Sequence, residues 1–399
     1  MLSVFDLLDE HLCTGCLSCM QICPARCIDL EYNPEGFVVP RINAEHCVLC
    51  GRCAKACHAL DPRGDVPKVG MAALGRNSDL VRKSSSGGVF SQFAEEALAE
   101  GYYVYGAAFS GGTHLRHIAI CHPDDLRKLQ GSKYIQSDVY GCFSDVENHL
   151  LKGDRVLFSG TPCQVAGLKR YLLKPYKELV TIDLVCHGVP SPIFWEEHAA
   201  EIVHKNEITS PFEISFRVKG RSDKSSFALR FSDGLGRSVR IESHKDLYYS
   251  LFLKGLSLRE CCYECPYSSL MRPGDITIGD CASCRDHVGL SLFEALSMVL
   301  VNNESGRAFV NRFNSGLSYE ELDIEREAQL NEQLHSPFVR PEGRSDVYRE
   351  LNLLTESELR RKYLPELGFK ERVQNALKRI ISVKTKARLR EFERKIFGR

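Results

Sequence analysis

Two runs of four cysteines constrain this chain more than any other feature. Cys13, Cys16, Cys19 and Cys23 stand at C-x2-C-x2-C-x3-C, and Cys47, Cys50, Cys53 and Cys57 repeat that spacing 34 residues on. The 399 residues hold 18 cysteines in all, too many for core packing and too few for a small disulfide scaffold. A chain of this length with 43% hydrophobic residues can build its core without covalent staples. No run of about 20 apolar residues marks a membrane span. Residues 1–10 carry acids where a signal peptide carries lysine or arginine, so a soluble, cytoplasmic protein is expected. In a reducing cytosol, clustered cysteines read as metal ligands or redox groups. Lysine plus arginine equals aspartate plus glutamate at 52 each, so no overall basic field points to nucleic acid.

The spacing, with Pro24 directly after the first run, resembles the two-cluster bacterial ferredoxin, in which three thiolates of a run hold one cubane and the fourth crosses to the other. Carried over, Cys13, Cys16, Cys19 and Cys57 hold one 4Fe-4S cluster, and Cys47, Cys50, Cys53 and Cys23 the second. Gly15 and Gly51 suit a backbone wrapped tightly around a cluster. One residue departs from the resembled run: His58 stands where proline is usual. A pair of zinc sites is the competing reading of the thiols. Between the runs, residues 27–32 and 37–42 alternate as short strands around Asn33-Pro34-Glu35-Gly36. Cys27 has no partner in the pattern and reads as a small core residue.

The expected organisation is a ferredoxin module over 1–60, a linker over 61–83, a larger domain over 84–345 and a helical basic tail over 346–399. Residues 61–69 are rich in proline, glycine and charge, as a boundary requires. In the body, segments 102–109, 155–159 and 180–186 read as strands alternating with helices over 89–99, 164–173 and 193–203. Three further strands over 213–219, 227–231 and 238–243 follow as a meander, so the fold class is α+β with a mixed α/β body.

Cys163 and Cys186 each stand where a strand ends, the edge of an α/β sheet at which ligands collect. With Cys262 and Cys265 they supply four thiolates from three chain segments, enough for a third cubane. Cys261, Cys281 and Cys284 compete for those places. Ser84-Ser85-Ser86-Gly87-Gly88 opens a helix and offers free amides to an anion, although such a stretch is more often only a helix cap.

The order of Ser-Ser-Gly-Gly (85–88), Gly-Ser-Lys-Tyr-Ile-Gln-Ser-Asp (131–138), Gly-Thr-Pro-Cys-Gln-Val-Ala-Gly-Leu (160–168), Asp-Leu-Val-Cys-His-Gly-Val-Pro-Ser-Pro (183–192), Cys-Tyr-Glu-Cys-Pro (262–266) and Arg-Pro-Gly-Asp-Ile-Thr-Ile-Gly-Asp (272–280) resembles the coenzyme F-420 hydrogenase/dehydrogenase beta-subunit family over about residues 5–315. The resemblance implies an iron–sulfur flavoprotein that passes electrons between clusters and a bound flavin, FAD or FMN, which exchanges hydride with a small-molecule substrate or a deazaflavin. It implies a redox partner such as ferredoxin. It implies flavin contacts from Ser85, Ser86, Gly87, Gly88, Ser132, Lys133, Tyr134, Thr161, Arg272 and Asp280, with Lys133 as a compensating charge and Arg272 as a phosphate or flavin-ring contact, although surface salt-bridge partners are an equal reading of both. His187 and Lys133 are the candidate catalytic groups, and for His187 a structural hydrogen bond is an equal reading. Relatives often carry Trp-Gly after the aspartate, whereas this chain has Cys281-Ala282-Ser283-Cys284, which alters the pocket. A non-catalytic electron relay to a partner enzyme stays open as the alternative.

From Lys370 to Arg399 the chain holds 11 basic and 3 acidic residues, with an apolar stripe of Val373, Leu377, Ile380 and Ile381. Such a helix docks on a partner, lies on an anionic membrane or closes the body.

Overall fold

The computed structural model describes residues 2–219, 225–287, 289–290 and 295–364. Residues up to Arg349 form one compact unit, and a second begins at Glu350. The described part of the second holds a helix, Glu356–Tyr363, closed by a capping box between Thr355 and Glu358. The basic tail expected over 370–399 lies outside the described residues.

The described residues of the first unit contain thirteen strands. β1 (Ile28–Tyr32) and β2 (Val38–Ile42) form the expected antiparallel hairpin between the cysteine runs. Eight strands build the main sheet in the order β13-β3-β12-β11-β7-β6-β4-β5. These are β3 (Val69–Gly75), β4 (Tyr103–Ser110), β5 (His114–Ile120), β6 (Val156–Gly160), β7 (Leu179–Leu184), β11 (Ile276–Asp280), β12 (Ser297–Val301) and β13 (Leu317–Glu321). β4, β6, β7 and β11 run parallel at its centre, and antiparallel strands flank them on both sides. β8 (Phe212–Lys219), β9 (Ser225–Asp233) and β10 (Ser238–Glu242) form the expected meander. The mixed fold class is thus the observed one.

The linker expected over 61–83 is a correction. Val69–Gly75 is β3, buried inside the main sheet, and Ser78–Lys83 is a helix capped by Asn77. Proline and charge end at residue 68, and Val-Gly-Met-Ala-Ala-Leu-Gly then supplies small and apolar residues that fit between two neighbouring strands.

Side chains alternate across the sheet. Leu157 of β6 joins Phe93, Val104, Ile182 and Phe309 on one face, beneath the helices Val89–Ala99 and Glu304–Phe313. Val156 and Phe158 join Phe143, Val165, Leu168 and Tyr171 on the other, beneath Cys142–Leu151 and Pro162–Leu172. The parallel strands all point the same way, so the segments leaving β6, β7 and β11 emerge along one edge.

Candidate functional site

The two cysteine runs wrap in matching ways. Gly15 and Leu17 in the first have φ of +66° and +58°, and Leu49 and Gly51, 34 residues on, have +51° and +71°. Left-handed backbone thus recurs at the same two positions, with glycine at one and leucine at the other in each run. A leucine there costs about 1 kcal/mol, tolerated because the turn aims the cysteines inward.

The thiols assemble as the crossed pattern requires. Cys13, Cys16, Cys19 and Cys57 line one cavity of about 230 Å³. Cys23, Cys47, Cys50 and Cys53 line another, together with Cys27. Burial and the neighbouring thiols of Cys16 and Cys13 push Cys19 well up, and burial with Cys16 pushes Cys57 up to about 11. Backbone amides already face sulfur: Val4 N donates to Cys53 Sγ and Leu49 N to Cys47 Sγ, both at 3.4 Å.

Cys163 lies in the first turn of the helix Pro162–Leu172, which Thr161 starts with a capping box. Cys186 follows β7 by two residues, and Cys262 and Cys265 come from the loop before β11. Burial pushes Cys163 well up, with Cys186, Cys265 and Cys262 adding to it. Cys186 is pushed up to about 12 by burial and by Cys262. Cys262 rises through its hydrogen bond with Cys261 and through burial. Gly188 N donates to Cys186 Sγ at 3.4 Å, and Thr161 Oγ1 stands 3.2 Å from Cys163 Sγ. Metal ligation needs these sulfurs as thiolates, their protons passing to solvent as sulfur donates to the metal, and a set of four buried thiols fits an iron–sulfur cluster. Among the described residues no three His, Cys, Asp or Glu side chains close around a single-ion position. The four-thiol groups of the N-terminal runs stand around open space instead.

Arg272, expected to meet the flavin, is held by groups of the protein itself. Arg272 is 1% exposed, its Nε and Nη2 donating to Asp183 Oδ1, Nη1 to the carbonyls of Tyr267 and Ser269, and Nη2 also to that of Leu184. It is a buried strut between the end of β7 and the loop carrying Cys265. Lys133 is similarly engaged: Nζ donates to the carbonyls of Leu129, Gln130 and Gly131 at 3.2, 2.9 and 3.1 Å, a full complement for three protons. Burial pushes its ammonium down to about 7.

The small-residue turn does assemble. Ser132 N and Oγ both donate to Ser85 Oγ, at 2.6 and 2.8 Å. Ser86 Oγ donates to Leu296 O and Gly87 N to Ser297 Oγ. Gly88, at φ +77°, is the N-cap of the helix Val89–Ala99 and has no side chain to cap it. Lys219 Nζ, on β8, donates to Ser86 O at 2.9 Å. Tyr134 stacks on Phe252 with ring centroids 4.9 Å apart, and Asp280 accepts from Arg217 Nη1 at 2.8 Å. His187 lies edge-on to Phe252 and Phe338, and its Nε2 is buried without a hydrogen-bond partner among the described residues. Burial pushes its imidazole down.

Sequence reasoning missed Lys219 and Arg217, which β8 delivers to the Ser86 turn and to Asp280. It also missed Arg259, whose guanidinium donates to the carbonyls of Cys13 and Val38 and to Gln136 Oε1. An arginine three residues before Cys262 was the available signal, but its partners lie more than 120 residues away in sequence.

Residues 153–327 match the model for the C-terminal part of the beta subunit of coenzyme F420 hydrogenase/dehydrogenase, and residues 12–59 that of the 4Fe-4S dicluster domain. Over residues 153–327 the chain is thus similar to that beta-subunit family. Residues 12–59 carry the 4Fe-4S dicluster domain. The chain is also similar to an iron–sulfur subunit of the CoB–CoM heterodisulfide reductase of Methanocaldococcus jannaschii, 39% identical over 62 residues. That match spans 12% of this chain and 9% of the relative's length. Among solved structures, a chain of the F420-reducing [NiFe] hydrogenase complex from Methanosarcina barkeri aligns with a TM-score of 0.46 at 16% identity, covering 68% of this chain and 92% of that one. No helix among the described residues is long and apolar enough to cross a membrane.

Proposed function

We propose that this chain is a flavin-dependent iron–sulfur oxidoreductase, coupled to ferredoxin or a similar redox protein, that acts on a small organic molecule or a deazaflavin. The observation that carries the reading is the position of the embedded four-thiol group. It lies where segments leave the C-terminal ends of β6 and β7, on the edge to which β11 also delivers Asp280. Ligands of α/β sheets collect at that edge. Cys163, Cys186, Cys262 and Cys265 would hold the third cluster.

A bound flavin supplies the exchange between one-electron and two-electron chemistry that iron–sulfur clusters lack. The uncapped first-turn amides after Gly88 suit its phosphates, as helix N-termini suit anions. Ser85 and Ser132 hold the turn in shape, and Lys219 adds positive charge beside it. Tyr134 is fixed by its aromatic neighbours. His187, with one ring nitrogen unpartnered, is placed to hold or accept a hydrogen bond.

Anaerobic purification followed by iron, sulfide and flavin assay tests this reading. About 12 irons and one flavin per chain are expected; zinc without flavin removes it. Stopped-flow mixing with F420, NADH, NADPH and reduced ferredoxin then identifies what exchanges electrons. Exchange with ferredoxin alone replaces the enzyme by a non-catalytic electron relay.

A further inference from the structure

His58 stands directly after Cys57, and Tyr267 stands two residues after Cys265. The two side chains meet. His58 Nδ1 lies 3.1 Å from Tyr267 OH, and His58 Nε2 lies 3.0 Å from Thr14 Oγ1, next to Cys13. Both rings are buried, His58 at 2% and Tyr267 at 1% exposure, with centroids 5.6 Å apart. Burial, with the thiols of Cys163, Cys265 and Cys16 close by, pushes the Tyr267 phenol up. The ring therefore borders both the first ferredoxin site and the embedded one.

The backbone closes the same gap. Gly167 is one helical turn after Cys163, and a Cβ on it would sit 3.1 Å from Cys16 Sγ. Ser18 Oγ donates to Gly167 O at 2.9 Å. The second ferredoxin site faces away from this contact: its cavity is bordered by Val48 and Leu49, which are 65% and 60% exposed.

We propose that His58 and Tyr267 are positioning residues that join the first ferredoxin site to the embedded site, so that electrons pass between the second site, the first and the embedded one in that order. The proposal rests on the reading that these four-thiol groups hold clusters. At the junction one electron leaves one site and enters the next, with no bond made or broken. Hydrogen bonds near cluster sulfurs and their burial set potentials, and a hydrogen-bonded pair of rings touching two sites acts on both.

The test uses the full chain, purified anaerobically, with Tyr267→Phe, Tyr267→Leu, His58→Pro and His58→Gln. Iron content, potentiometric titration followed by electron paramagnetic resonance, and spin–spin splitting between reduced sites are the readouts. Tyr267→Phe keeps the ring and is expected to keep all the iron while shifting electron partition between the first and embedded sites about tenfold, or about 59 mV for one electron. The second site's potential is expected to stay fixed. Tyr267→Leu and His58→Pro are expected to slow exchange between the two sites about tenfold or more, and His58→Gln to recover part of that loss. Wild-type iron near eight overturns the embedded-site reading beneath the proposal. Iron near 12 with unshifted potentials and splitting in Tyr267→Phe and both His58 variants overturns the junction alone.

Discussion

In the N-terminal module, eight thiols come from two stretches of eleven residues, and left-handed turns at matching positions in each aim them inward. In the body, four thiols come from a helix start, a strand end and a loop up to 102 residues away. The module's sites are shaped by local backbone, whereas the embedded site is shaped by the sheet. The two kinds of site should therefore break differently. If the embedded thiols hold a cluster as proposed, loss of a ligand is expected to empty either kind, and loss of a distant strut only the embedded one.

The largest expected effect separates them by metal count. Cys163→Ser or Cys186→Ser is expected to remove about four irons and leave the N-terminal sites loaded; Cys57→Ser is expected to remove about four from the first N-terminal site and leave the embedded one loaded. Iron and sulfide assay with electron paramagnetic resonance reads both, and unchanged iron in the first pair defeats the embedded assignment.

Arg272→Ala comes next. It strands Asp183, which is fully buried and whose other oxygen accepts from Gly274 N at 2.7 Å. Breaking a buried pair by removing one partner costs about 3–5 kcal/mol. A lower denaturant midpoint with loss of the embedded iron is expected, with the N-terminal signals retained. If stability holds and only flavin is lost, Arg272 is a cofactor contact after all.

These differences also explain what was legible in the sequence. The eight module cysteines and their hairpin were readable because each ligand's position is fixed by its neighbours. Cys163 and Cys186 were readable as ends of apolar runs. The roles of Arg272 and Lys133 were not, because a motif shows which residue is present but not that Asp183, 89 residues earlier, or a ring of carbonyls already holds it. β3 was hidden by the proline, glycine and charge before it. Lys219 and Arg217 looked like ordinary strand cations, since nothing local to β8 says what its residues meet.

Acid should probe the same contrast. His117 donates from Nε2 to Ser159 O and accepts from Ser137, which also receives Gln164 beside Cys163. Burial pushes its imidazole down from 6.5 to about 4. The unfolded chain therefore binds the proton first, so stability is full above about pH 6.5 and declines as pH falls towards 4, by about 3 kcal/mol over the window. His117→Gln is expected to flatten that slope in a series of denaturant midpoints. His58, pushed down to about 4 chiefly by burial, adds its own share and remains in that variant.

The smallest effect addresses the surface between module and body. At Gly167 a methyl group would sit 2.9 Å from Ser18 Oγ and 3.1 Å from Cys16 Sγ. Alanine favours the helix by about 1 kcal/mol, while forcing a methyl into a packed contact costs about 1–3 kcal/mol. Because Ser18 Oγ also bonds Gly167 O, the module cannot back away without giving up that hydrogen bond, so the cost side prevails. Gly167→Ala is expected to lower the denaturant midpoint by the equivalent of about 1 kcal/mol and to perturb the signal of the first site alone. A more stable protein with all signals unmoved would mean that the module rests on the body loosely, and that Cys16 has room the packing denies it.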